Sequence, residues 1–303
     1  MRVHFYDAGQ ALAALVSLPD GRRVLVDAGE SPLRDGCAGA CADWHARVMK
    51  GLTLDLQGGR LDLAWFTHQH SDHLGGAPGV LRAFRPVTYV DNGLDLTKPT
   101  VRRAREAASA VSAVIHVVDP DHRTVPLVDG ALVRFRAIVP SPWPARCHTD
   151  PNACSIGLRI DYCQSSVLFT GDAPREEEDA LDLGGPVSLL QVAHHGAETS
   201  TSERFIKRAQ PRYAVISSGR VDEGTNAGYC HPRATTVDTL NRALGEVGRR
   251  TVKAFDGQTR CGKDKPEHWG EVPTSDRLWL TSRDGDVALV TAGDGVFRRE
   301  PPP

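Results

Sequence analysis

Thr67-His68-Gln69-His70-Ser71-Asp72-His73-Leu74-Gly75-Gly76 is the stretch on which the fold is read. Just upstream, Leu61-Asp62-Leu63-Ala64-Trp65-Phe66 has the apolar content of a short buried strand. Downstream, Gly75-Gly76 permits a tight turn into a helix that opens near Ala77-Pro78-Gly79-Val80-Leu81. The polar segment is therefore expected on a loop at the C-terminal end of a strand, where α/β folds place their chemistry. Alternation sends His68 and His70 to one side, so they can hold one metal ion. Asp72 and His73, beyond the corner, can hold a second. Imidazole and carboxylate without thiolate suit zinc, with manganese or iron as the other options. The competing reading is a solvated loop. The H-x-H-x-D-H spacing between an apolar strand and a Gly-Gly turn argues against it.

Other strands deliver polar residues at their ends in the same way. Strands are read at 2–6, 11–17 and 22–27, the last two joined at Pro19-Asp20-Gly21, and the third ends at Val26-Asp27-Ala28-Gly29. Val167-Leu168-Phe169 ends at Thr170-Gly171-Asp172, an acid placed to bridge two metals, against the alternative of a helix N-cap for Glu176 onward. Val187 to Val192 ends at Ala193-His194-His195-Gly196. One of this pair is expected to complete the second metal site, with His195 preferred as ligand and His194 facing substrate. His231, before Pro232 and a helix striped by Val237, Leu240 and Leu244, is read as a cap or as a proton donor or oxyanion contact.

Between these landmarks, helices are expected around Asp43–Leu54 and Thr97–Val111, and after a capping box at Ser200-Thr201-Ser202-Glu203. Strands are expected at 87–90, 114–118, 124–127, 131–139, 156–160, 212–217 and 251–255, then a terminal hairpin of 277–282 and 286–291. On the 97–111 helix, Lys98, Arg102 and Arg105 share a face that is either solvated or a phosphate-tracking strip. The 303 residues are read as one domain, with a polar insertion at 256–274 and a frayed tail at 298–303.

Lys plus Arg (36) nearly balances Asp plus Glu (38), so no global field draws nucleic acid or membrane. No run approaches the roughly 18 apolar residues that a membrane span needs, and the N-terminus enters a strand pattern directly. Seven cysteines, an odd number in a long chain, favour reduced thiols and a cytoplasmic setting, with Cys37 and Cys41 ordinary cysteines.

The combination resembles the metallo-β-lactamase superfamily, and within it the ComEC-type competence domain and its stand-alone relatives. The matching pieces are Val3 to Gln10, Val24 to Gly29, His68 to Gly76, Asn152 to Ser155, Leu168 to Asp172, Val192 to Gly196, and His231-Pro232. The resemblance implies an α/β, four-layer αββα sandwich with mixed sheets and a dinuclear metal centre between them. It places His68 and His70 on one metal, Asp72, His73 and one of His194/His195 on the other, and Asp172 on both. Asp27 would support the metal loop. Two departures stand out: Asn152 occupies the place of a further His ligand, with His148 nearby in sequence, and the family's Gly-Gln-Gly-Asp is Gly9-Gln10-Ala11-Leu12 here.

The expected reaction is hydrolysis by a hydroxide bridging two divalent ions, with Asp72, His194 and His231 as the catalytic residues. A phosphodiester is the preferred substrate, as a small phosphoester or short single-stranded nucleic acid. The rivals are a carboxylic ester, lactone or thioester hydrolase, and a catalytically degenerate metal-binding interaction module.

Overall fold

The computed structural model describes residues 1–37, 39–245, 247–257, 261 and 268–301. In the first half the strands are β1 (Arg2–Phe5), β2 (Ala13–Ser17), β3 (Arg23–Ala28), β4 (Leu63–Trp65), β5 (Thr88–Asp91) and β6 (Val114–Val117). The second half carries β7 (Val133–Ile138), β8 (Gly157–Tyr162), β9 (Ser165–Phe169), β10 (Leu189–Gln191) and β11 (Tyr213–Ile216). After these come β12 (Val247–Phe255), β13 (Trp269–Ser275), β14 (Leu278–Leu280), β15 (Val287–Val290) and β16 (Arg298–Arg299). One sheet runs β16-β15-β1-β2-β3-β4-β5-β6 and the other β14-β11-β10-β9-β8-β7, while β12 and β13 form a separate hairpin. Both large sheets are mixed. β3 to β6 pair in parallel and β1 to β3 antiparallel. In the second sheet β9, β10, β11 and β14 run parallel, whereas β7, β8 and β9 are antiparallel.

The two-residue alternation of a strand explains the layering. Val24 and Val26 point between the sheets with Val3 and Phe5, against Leu158, Ile160, Val167 and Phe169. The intervening Leu25 points outward, under α1 (Ala40–Leu56), α3 (Ala77–Phe84) and α4 (Pro99–Ala110) through Val48, Leu52, Val80, Leu81 and Ala104. Leu168 likewise points away from the partner sheet, toward Phe205 and Ile206 of α6 (Glu203–Ala209) and Val237 and Leu240 of α8 (Ala234–Leu244). Three apolar layers between four structural layers make the αββα sandwich. Strands buried on both faces read as continuous apolar runs, which is why β3, β9 and β11 stand out in the sequence. The Trp65 indole donates to the Ile156 carbonyl at 2.9 Å, bonding one sheet to the other beside the site.

Several expectations change. Residues 124–127 form no strand. The expected terminal hairpin is divided between sheets: β14 adds in parallel to β11, the short helix α9 (Thr281–Asp284) crosses over, and β15 pairs with β1. Local pattern cannot reveal this, because both strands are short apolar runs. Within the expected polar insertion, 269–274 belongs to β13 and pairs with β12; 258–260 and 262–267 lie outside the described residues. The tail is not frayed at its start, since Arg298 and Arg299 pair with Val290 and Leu289. Ser202, not Ser200, caps α6, accepting from the Phe205 amide at 2.9 Å.

The reduced-thiol expectation is overturned. Cys37–Cys41, Cys147–Cys154 and Cys230–Cys261 are disulfides, and Cys163 alone is free. The odd count reflected one unpaired residue rather than an unpaired set.

Candidate metal centre

Parallel strands leave their C-terminal ends along one edge, and the polar residues gather there. β4 delivers His68 and His70, and the short helix α2 (Ser71–Leu74) turns Asp72 and His73 back toward them. β9 delivers Asp172 through Gly171, whose φ of +60° and lack of a Cβ are both required: a Cβ would lie 2.7 Å from Thr67. β10 delivers His194 and His195, each in left-handed backbone. The buried Gln191 amide holds these last two turns in register. Its Oε1 accepts from the Thr170 and Gly171 amides, and its Nε2 donates to the Gly171 and Val192 carbonyls.

Asp72, His73, Asp172 and His195 offer ligand atoms that all lie within 4.8 Å of one another. His73 Nε2 is 3.1 Å from Asp172 Oδ1, and His195 Nε2 is 3.3 Å from Asp72 Oδ2 and 3.6 Å from Asp172 Oδ2. His68 Nε2 lies 3.1 Å from His70 Nδ1 and 4.0 Å from Asp172 Oδ2. His194 stands at the side, its Nε2 4.0 Å from Asp172 and 3.4 Å from Asn152 Nδ2, its Nδ1 2.9 Å from the Thr199 hydroxyl. Asp172 is not a cap for α5 (Arg175–Ala180), whose N-cap is Pro174. His148, on a short 3-10 helix, is exposed.

The surrounding hydrogen bonds decide which ring nitrogens face inward bare. Asp27 is fully buried; Oδ1 accepts from the Thr67 amide and Oδ2 from the Thr67 hydroxyl, each at 2.8 Å. Oδ2 also takes the His73 Nδ1 proton at 2.7 Å, so His73 presents Nε2 to the site. With its proton given to Asp27, the Thr67 oxygen accepts from His68 Nδ1 at 3.1 Å, which leaves His68 Nε2 bare. His195 Nδ1 donates to the Ser217 carbonyl at 2.7 Å, which turns its Nε2 inward. Metal-binding histidines are oriented in this manner.

Among the described residues, His73 Nε2, His195 Nε2, Asp172 Oδ1 and Asn152 Oδ1 are buried without a hydrogen-bond partner. His73 and Asp172 are close yet not aligned for a hydrogen bond. Unpartnered buried polar atoms are costly, and this donor set fits divalent cations. The electrostatics agree. Burial alone would raise both carboxyls, but the close approach of His195 and the charge of His73 hold Asp72 low, and the charges of His73, His195 and His194 hold Asp172 low. Burial opposes charge on His73 and His195, yet the surrounding carboxylates outweigh it and push both up. The carboxylates favour positive charge at the positions those ring nitrogens face. Burial keeps His68 neutral, and burial with the charges of His194 and His195 keeps His231 neutral.

His231 is held beside this site by a second network, its ring centroid 5.6 Å from that of His194. Gln10 is buried; its Oε1 accepts from the Gly219 amide at 2.9 Å, which fixes the amide so that Nε2 donates to His231 Nδ1 at 3.0 Å. The proton of neutral His231 is then on Nε2, a donor. The N-cap of α8 is Arg233, so His231 is no cap. Asn226 locks the His231 backbone with two bonds of 2.8 Å. The cleft of about 180 Å³ is lined by Gln10, Glu30, Arg34 and Tyr229 together with His70, Asp72, Asn152, Asp172 and His194. Of these, Gln10, Glu30, Arg34 and Tyr229 carry no motif that marks them in sequence; Gln10 alone lay in a recognisable segment. The basic strip on α4 is not free: Lys98 pairs with Asp95 at 2.7 Å, Arg102 with Glu106 at 3.6 Å and Arg105 with Asp91 at 2.5 Å.

The chain is similar to several known proteins. Recombination protein 2 of Haemophilus influenzae is 29% identical over 267 residues, covering 86% of this chain and 28% of that protein. ComE operon protein 3 of Bacillus subtilis is 28% identical over 187 residues, covering 60% of this chain and 22% of that protein. The chain thus spans under a third of the length of these relatives. The metallo-β-lactamase fold protein YhfI from Bacillus subtilis superposes with a TM-score of 0.49 at 12% identity, covering 81% of this chain and 94% of YhfI. A model of the metallo-β-lactamase superfamily matches residues 6–220, and with that match over most of its length the chain belongs to the metallo-β-lactamase superfamily.

Proposed function

We propose that the chain is a single-domain metal-dependent hydrolase whose substrate is a phosphodiester. The observation that carries this reading is the convergence of bare, oriented ring nitrogens and depressed carboxylates on one buried point. His68, His70 and Asp172 would hold one ion, with Asn152 Oδ1 as a neutral neighbour; Asp72, His73, His195 and Asp172 would hold the other. Two bound divalent ions, zinc foremost with manganese or iron as alternatives, lower the pKa of a water and neutralise charge on phosphoryl oxygens. The protein's own contribution is orientation. Asp27 and Ser217 O aim His73 and His195, and Gln10 keeps His231 as an Nε2–H donor, which would hydrogen-bond developing negative charge. His194, hydrogen-bonded to Thr199, would protonate a leaving group.

The name of one relative, a recombination protein, supports nucleic acid as the source of the phosphodiester. A cleft of about 180 Å³ suits a small phosphoester or a short single strand rather than a duplex. The three disulfides support an oxidising compartment in place of the cytoplasmic setting. Among the described residues no helix is long and apolar enough to cross a membrane.

The test is turnover of bis-p-nitrophenyl phosphate by protein loaded with zinc or manganese. Wild type should hydrolyse it, and Asp172→Asn should lose about a hundredfold or more in kcat. Turnover confined to lactones or thioesters would instead assign a carboxylic ester, lactone or thioester hydrolase. Full metal occupancy with no turnover of either class would leave a degenerate metal-binding module, the reading that Asn152 at the site of a third histidine favours.

A further inference from the structure

Two side chains at the cleft mouth have no part in the chemistry above. Tyr229 ends the short helix α7 (Asn226–Tyr229) and lies over His231, with ring centroids 6.0 Å apart and planes 29° apart. It is 46% exposed, and among the described residues it is the one exposed Trp, Tyr or Phe ring. Arg34, on the loop before α1, donates to the Ser71 hydroxyl and stands 3.8 Å from Glu30. Both line the same cleft as Asp72 and Asp172, and among the described residues Arg34 is the only one lining it with a permanent positive charge.

A ring that merely covered His231 would be buried, as the other large aromatic side chains are wholly or partly. Tyr229 is open on a wall that ends at the carboxylate cluster. Its place is set from both sides: Cys230, the next residue, is bonded to Cys261, and Asn226 holds the His231 backbone. The ring is therefore presented without an ordering cost, which is how an aromatic platform favours a flat ligand. Arg34 offers a planar donor fork suited to a phosphate oxygen.

The geometry points to a base-binding subsite in which Tyr229 stacks a nucleobase beside the scissile phosphodiester while Arg34 engages a phosphate oxygen, so that the substrate is a nucleotide unit with an unpaired base. This rests on the phosphodiester reading. A paired base has both faces covered by its neighbours in the stack, and only an unpaired or terminal one can lie on the ring.

The measurement is the ratio of kcat/KM for thymidine 5′-(p-nitrophenyl phosphate) to that for methyl p-nitrophenyl phosphate, using the zinc- or manganese-loaded full chain. The leaving group is identical, so the ratio reads the base. Tyr229→Ala should lower it about tenfold, mainly through KM, and Tyr229→Phe should hold it within about twofold of wild type. A ratio unchanged in Tyr229→Ala overturns the subsite, as does an equal fall in Tyr229→Phe. Calorimetric titration with thymidine 5′-phosphate against ribose 5-phosphate separates the two failures. If wild type turns over neither diester but binds the nucleotide, and Tyr229→Ala weakens that binding about tenfold, the subsite stands and the phosphodiester reading falls. If the nucleotide binds no better than ribose 5-phosphate, the subsite falls whatever the turnover.

Discussion

The two oxygens of the buried Asp27 take three donors, from the Thr67 amide, the Thr67 hydroxyl and His73 Nδ1. Through these bonds one carboxylate sets the ring orientation of His73 and, by way of the Thr67 hydroxyl, the tautomer of His68. An isosteric amide keeps the shape but offers one acceptor oxygen and a donor in place of the other. Asp27→Asn should therefore weaken metal affinity about 10- to 100-fold, as is typical when such a supporting group is lost. Competition against a chelator, with circular dichroism to show an unchanged fold, checks this; an affinity equal to wild type would remove Asp27 from the site's support. Gln10 and His231 illustrate the same logic, since an amide fixed by Gly219 decides which imidazole nitrogen carries the proton. None of these orientations is visible from residue identity.

At the scale of elements, each disulfide anchors a segment that carries a cleft-lining residue. Cys37 follows Arg34 by three residues, Cys147–Cys154 encloses Asn152, and Cys230 sits between Tyr229 and His231. These loops contribute little apolar area, and cross-linking limits the states they can reach when unfolded. Replacing Cys147 and Cys154 together by Ser should cost about 2–4 kcal/mol of stability. Reduction with dithiothreitol should lower Tm and metal-dependent turnover together, because the mouth loops loosen with the fold. An unchanged Tm after complete thiol release would count against this role. The short helix α2 shows the opposite case. Four residues cannot hold a helix in isolation, and Asp72 and His73 are placed by the β4 strand and the Asp27 contact instead.

Across the whole molecule, β1 joins the first sheet to α1 and to the β15 side through a buried charged group. His4 Nδ1 is 2.5 Å from Asp55 Oδ2, its Nε2 is 3.5 Å from Asp286, and Arg2 and Tyr6 also reach Asp55. Burial opposes charge on His4, but the bonds to Asp286 and Asp55 outweigh it and raise its pKa above 6.5. The folded state then binds the proton more tightly than the unfolded chain. This contribution is fully present below about pH 6.5 and is lost as pH rises through the folded pKa. For Asp55 and Asp286 the signs reverse. Burial would raise them, hydrogen bonding to His4 lowers them below 3.8, and their contribution is lost as pH falls through the folded value. Tm measured from pH 5 to 9 should fall on the alkaline side, and His4→Gln should flatten that fall. An identical slope in both proteins would refute the assignment.

What the sequence determined by itself is the part that depends on neighbours along the chain. Continuous apolar runs at β3, β9 and β11, and polar residues at the ends of β4, β9 and β10, report burial and turn chemistry, and those are local. The H-x-H-x-D-H loop was legible for the same reason, since its donors come from one short segment. Tertiary structure alone decided which separate segments meet: Asp172 beside His73, Gln10 beside His231, Arg34 and Tyr229 across one mouth, and the cysteines in three pairs. It also sent β14 and β15 to different sheets, although they are nearly adjacent in the chain. Those pairings depend on strand order and on the shared edge where parallel strands end, and residues far apart in sequence carry no local signal of it.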